Sequence, residues 1–84
     1  MLIFRITEIM ARYKVSVVAL SNELGIGTSA VSKWRQGAAT PSFDRLNQVM
    51  NALKKIGDDE QLTLYPLQLS ELLEWREEKD TNID

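Results

Sequence analysis

Apolar residues recur at helical spacing along most of the chain. Leu2, Ile6, Ile9 and Tyr13, with Met10 beside them, predict a first helix over 2–13. Ser16 suits an N-cap for the next run, in which Val17, Leu20 and Leu24 form the apolar stripe. Gly25 follows where a left-handed residue stops a helix. A third, short helix fits 28–36 and is closed by Gly37. Pro41 forbids continuation, and Ser42 caps a fourth helix whose stripe is Phe43, Leu46, Met50 and Leu53, ended by Gly57. The stretch "GDDEQ" (57–61) reads as a polar connector, and "LTLYP" (62–66) as a short extended piece at most. Pro66 suits the first position of a fifth helix running through "LQLSELLEWREEK" (67–79), after which 80–84 should fray. No strand of convincing length, repeat or low-complexity tract stands out. The expected class is all-α, a compact five-helix fold.

A length of 84 residues allows one small domain with a single core, and an apolar share of 44% is ordinary for a folded chain. The absence of Cys and His removes disulfides, thiolate or imidazole zinc sites, thiol nucleophiles and His-dependent acid–base chemistry. A carboxylate-only enzyme would need a shaped pocket that so short a chain has little room to build. The expectation is therefore no enzyme, no cofactor and no metal. "MLIFRITEIM" is broken by Arg5 and Glu8, too early for a signal-peptide core, and no 18-residue apolar run occurs. A soluble cytoplasmic protein of bacterial or phage style is expected, with no membrane partner.

The net charge of −2 hides a division. Residues 1–57 carry eight cations and three anions, a net of +5, whereas 58–84 carry two cations and nine anions, a net of −7. The chain reads as a basic body (1–57) followed by an acidic connector and C-terminal helix (58–84) within the same single domain. The acidic whole-chain pI therefore does not exclude a polyanionic partner.

At 100° per residue, Val31 and Trp34 fall together on the inward side of the third helix. Ser29, Ser32, Lys33 and Gln36 fall opposite, with Thr28 at the exposed start. Hydroxyls, an amide and a cation on one face are suited to base edges and phosphates, although a plain solvated face has the same composition. The surrounding spacing narrows the choice. Leu20, the small Ser21, Leu24, Gly25, Ile26, Val31 and Trp34 match a helix-turn-helix: a small residue at the crossing, a Gly in the turn, and apolar residues fixing the second helix on the first.

The stretch "LGIGTSAVSKWRQGAATPSFDRL" moreover resembles the phage-repressor (Xre-type, Cro/repressor) family of DNA-binding domains over roughly residues 5–56. The marks are Ser32-Lys33-Trp34, the following Gly37, and the Pro41-Ser42 start of the fourth helix. The resemblance implies a recognition helix at 28–36, with Thr28, Ser29, Ser32 and Lys33 facing the groove and Lys33 suited to guanine O6 and N7. It implies that Ser16 and Val17 stand against the phosphate backbone, where the family often has a Gln in place of Val17. It implies too that the N–H groups of Ser42 and Phe43 meet a phosphate at a helix N-terminus.

The chain also departs from the pattern. The loop 38–40 lacks the family's usual Lys or Arg, which should lower affinity and flatten its salt dependence. Arg35 stands where the family often has a Glu paired to a helix-one Arg; it either pairs internally, with Glu8 as the partner, or contacts phosphate. Gly27 replaces a better N-cap, and Lys14 fills a position where the family often has Gly.

Trp34 reads as core rather than as a base-stacking ring. Glu71, Glu74, Glu77 and Glu78 read as a solvated helix face, and Asp58-Asp59-Glu60 lacks calcium-loop spacing. In the fifth helix Leu69, Leu72 and Leu73 should close the core, leaving Trp75 off that face and Tyr65 before it. Such aromatics are either flank packing or interface anchors, and the acidic surroundings favour a homodimer contact. The functional expectation is a repressor-type regulator that binds double-stranded DNA at specific operators. The alternative is an antitoxin-like or adaptor module whose acidic segment engages a basic partner.

Overall fold

The computed structural model describes residues 1–77, so residues 78–79 of the expected fifth helix (with Glu78 of the acidic cluster) and the fraying expected at 80–84 lie outside the described residues. The order is β1 (Leu2–Phe4), α1 (Ile6–Arg12), α2 (Val17–Leu24), α3 (Thr28–Gln36), α4 (Phe43–Ile56), α5 (Asp59–Leu64), α6 (Leu69–Leu72) and β2 (Leu73–Trp75).

The middle of the chain follows its local signals. The Ser16 hydroxyl accepts from the Ala19 N–H at 3.0 Å and starts α2; the Ser42 hydroxyl accepts from Arg45 N–H at 3.1 Å and starts α4. Gly25 and Gly37 end α2 and α3 with φ of 70° and 77°, backbone that an L side chain strains to adopt. The core is built from Ile6, Ile9, Met10 and Tyr13 of the first segment, Leu20 of α2, Val31 and Trp34 of α3, Leu46, Val49 and Leu53 of α4, and Leu72 of α6.

The two ends of the chain differ from the expected helices. Leu2–Phe4 is a strand, not the start of a helix, and pairs antiparallel with Leu73–Trp75 in the register Leu2 to Trp75, Ile3 to Glu74, Phe4 to Leu73. Three consecutive apolar residues satisfy a helical and an extended period equally, so the partner strand decides. Helix α1 accordingly begins only at Ile6. The single fifth helix is replaced by α5, α6 and β2. The Asp58 carboxylate accepts from the Gln61 N–H at 3.1 Å and caps α5 inside the expected connector; Pro66 then disfavours a helical Tyr65, whose φ of −133° and ψ of 81° end the helix. Residues 62–64 of the expected extended piece (62–66) are thus helical, and only Tyr65 and Pro66 lie outside the helix.

Of the expected core stripes, Leu72 is fully buried while Leu69 is exposed and Leu73 half-buried. In α4 the buried set is Leu46, Val49, Ala52 and Leu53. Met50 is half-buried and Phe43, at the first helical position with nothing packed over it, is 88% exposed.

The C-terminal segment is bound tightly to the body. The Tyr13 hydroxyl donates to the Tyr65 carbonyl at 2.5 Å, and Asp58 N–H donates to the Tyr13 carbonyl at 2.9 Å. At Gly57 a Cβ would stand 2.5 Å from the Leu53 carbonyl oxygen, so close approach rather than turn geometry calls for glycine there. Arg12 pairs with Glu71 at 2.9 Å and Arg5 with Glu74 at 3.5 Å. The acidic segment therefore neutralises cations of α1 and its approach.

Candidate nucleic-acid interface

Helices α2 and α3 pack on one another, and Ser21 of α2 is 1% exposed, the small residue that close packing of two helices calls for. The turn between them is held by the Ile26 N–H, which donates to the Ser21 carbonyl at 3.0 Å. Val31 and Trp34 anchor α3 inward, and the Trp34 ring meets Phe4 edge-on with centroids 6.1 Å apart. With these two residues fixed, the rotation of α3 follows. Thr28, Ser29, Lys33, Arg35 and Gln36 are exposed, and Ser32 is half-buried between the inner and outer faces.

At the start of α3, Gly27 caps without a side-chain hydrogen bond, so the first N–H groups of the helix have no side-chain acceptor. Ser16 and Ser42 stand at the N-termini of α2 and α4. Val17 is half-buried against the core at the first position of α2, one of the helix N-terminal positions whose N–H has no partner within the helix. Phe43 offers a backbone N–H at the start of α4, with Asp44 beside it in the first turn as a competing negative charge.

The alternatives for Arg35 separate here. Glu8 is taken by Arg5 through a two-pronged contact; the hydrogen bond from Arg5 holds the Glu8 carboxyl below its ordinary range. Arg35, in contrast, makes no ion pair among the described residues. Its backbone carbonyl accepts from the Thr7 hydroxyl at 3.4 Å, and Thr7, Ser32, Arg35 and Gln36 line one shallow hollow. Thr7 was not foreseen, because α1 carries no sequence mark of contact with the end of α3. Lys55 is paired with Glu23 at 3.0 Å. Lys33 and Arg35 thus project uncompensated charge from α3, while Arg5 and Arg12 are neutralised nearby.

Among the described residues, no three Asp or Glu side chains converge as a metal-ligand set. No described helix is long and apolar enough to cross a membrane.

A family model described as a Cro/C1-type HTH DNA-binding domain matches residues 5–58. No curated protein and no solved structure matches the chain.

Proposed function

The chain belongs to the Cro/C1-type helix-turn-helix DNA-binding family, and from that premise we propose that it is a sequence-specific transcriptional regulator of the repressor type. It acts by occupying an operator in the major groove, in the cytoplasm. The observation that carries this reading is the outer face of α3. Thr28, Ser29, Lys33 and Gln36 are exposed together while Val31 and Trp34 lock the opposite face, so the donors are preorganised for base edges. Lys33 is the guanine-reading residue, with Thr28, Ser29, Ser32 and Gln36 around it. The backbone N–H groups at Ser16–Val17 and Ser42–Phe43 seat phosphates on either side, and Arg35 adds a further phosphate contact.

One such helix reads few bases, so the protein works as a homodimer on a two-half-site operator with centres about 34 Å apart. The antitoxin-like or adaptor reading is the weaker one. It relies on the acidic segment 58–84 for a basic partner, and two of that segment's carboxylates, Glu71 and Glu74, are already paired with Arg12 and Arg5 in the protein's own fold.

Selection of bound duplexes from a random library tests the proposal. An enriched motif with two-fold symmetry is expected, and recovery of unenriched sequence would contradict it.

A further inference from the structure

The β1–β2 ribbon has an outer edge with a particular symmetry. Met1 and Arg76 exchange both backbone hydrogen bonds, at 2.5 and 2.8 Å, and Arg5 N–H donates to the Leu72 carbonyl at 2.7 Å. Bonded pairs alternate along an antiparallel ladder, so Ile3 and Glu74 form the bonded pair between these two. The N–H and C=O of Trp75 and the C=O of Leu73 therefore point away from β1. Among the described residues none of these three groups has a partner, whereas the Leu73 N–H is bonded to the Leu69 carbonyl. On one face of the ribbon Phe4 is packed on Trp34, but Leu2 and Trp75, paired across the strands, are 65% and 66% exposed. On the other face Glu74 and the Arg76 that follows it two residues on are of opposite charge.

We propose that β2 pairs antiparallel with β2 of a second copy of this chain, on a two-fold axis at Trp75, forming a four-stranded sheet across the dimer. The inference rests on the dimer reading above and locates its contact. The register is dictated by the free groups. Trp75 N–H and C=O exchange bonds with the partner's Trp75, and Glu77 N–H donates to the Leu73 carbonyl of the other copy. The same register sets Glu74 opposite the partner's Arg76 and Arg76 opposite the partner's Glu74, so both charged pairs are attractive. It also aligns Leu2, Trp75, the partner's Trp75 and the partner's Leu2 in one apolar row. An isologous contact requires this kind of self-complementarity, and an unpaired strand edge supplies the main-chain bonds. Tyr65 is left outside this contact; its ring sits beside Arg12, 5.8 Å from the guanidinium carbon.

The charge pattern gives a test in trans. Glu74→Arg alone sets Arg against Arg twice in the homodimer, and Arg76→Glu alone sets Glu against Glu twice. Mixed together, the two variants are complementary at both positions. Sedimentation is expected to give each variant alone a dimer dissociation constant raised about tenfold or more over wild type. The equimolar mixture should return 1:1 dimers. Thermal melts of each variant check that the fold survives the loss of the Arg5–Glu74 contact, and rescue on mixing cannot arise from repair within one chain. Single variants that dimerise like wild type, a mixture that stays monomeric, or a wild type monomeric even with operator present would each overturn the proposal. If wild type binds a two-fold operator as two copies but mixing rescues nothing, this interface falls and the DNA reading stands. If mixing rescues dimers in a protein that selects no duplex, the interface stands and the DNA reading falls.

Discussion

At the scale of single residues, Lys33 and Lys14 represent two ways in which a cation departs from a plain surface role. Lys33 stands on the outer face of α3, one residue before the buried Trp34 that fixes the helix rotation. Lys33→Ala should weaken specific binding by ~1–3 kcal/mol, the worth of one good base contact, and should leave binding to random duplex nearly unchanged. Titrations on both DNAs check it; an equal loss on both would make Lys33 a phosphate contact. Lys14 links α1 to α2 at a φ of 58°, the left-handed region. The family resemblance marks that position as one often held by Gly, and the backbone angle supplies the reason. A left-handed L residue costs ~1–2 kcal/mol, whereas glycine frees the unfolded chain by ~0.4–1 kcal/mol, so Lys14→Gly should stabilise the fold by about 0.5 kcal/mol. A small rise in melting temperature is expected, and a fall would mean that Lys14 contributes elsewhere.

At the scale of elements, the legible part of the chain was the part with explicit punctuation. Helices α2, α3 and α4 carry a serine cap, a left-handed glycine or a proline at their boundaries, and those markers act locally. The ribbon was illegible because its two strands are three residues each and 69 residues apart from Phe4 to Leu73. Neither strand alternates long enough to announce itself, and pairing is the only thing that distinguishes "LEW" from the next turn of a helix. Asp58 carries a local signal, an Asp followed three residues later by a Gln in a capping pattern, but the acidic run around it makes the stretch read as a polar connector. The outer face of α3 was visible in the sequence, because two buried residues set the rotation of all nine. The engagement of Arg5 with Glu8, which frees Arg35, was not visible, because it depends on where the helix begins. Leu72 tests the integration of the acidic segment. It is fully buried although it lies beyond the residues matched by the family model. Leu72→Ala should destabilise the whole protein by ~2–5 kcal/mol in a single cooperative melt. A melt in which the remainder of the chain is unaffected would make the segment an appendage.

At the scale of the whole molecule, the charge distribution explains how a chain of net charge −2 can face a polyanion. Glu71 and Glu74 neutralise Arg12 and Arg5 on the first segment, whereas Lys33 and Arg35 make no ion pair among the described residues and α3 itself holds no carboxylate, so this helix presents net positive charge. With few cations facing the duplex and none in the loop 38–40, log K should fall with log salt at a slope of roughly −3 to −5 for the dimer, shallower than a strongly basic repressor. A slope near −10 would mean that more of the surface contacts phosphate than α3 and its neighbours supply. The central claim is that the exposed face of α3 reads base sequence. Its most direct test is the ratio of affinities for a selected duplex and for a scrambled duplex of the same length and base composition, at physiological salt. The account predicts a preference of about 10³-fold or more for the selected duplex. Equal affinities for the two would contradict it.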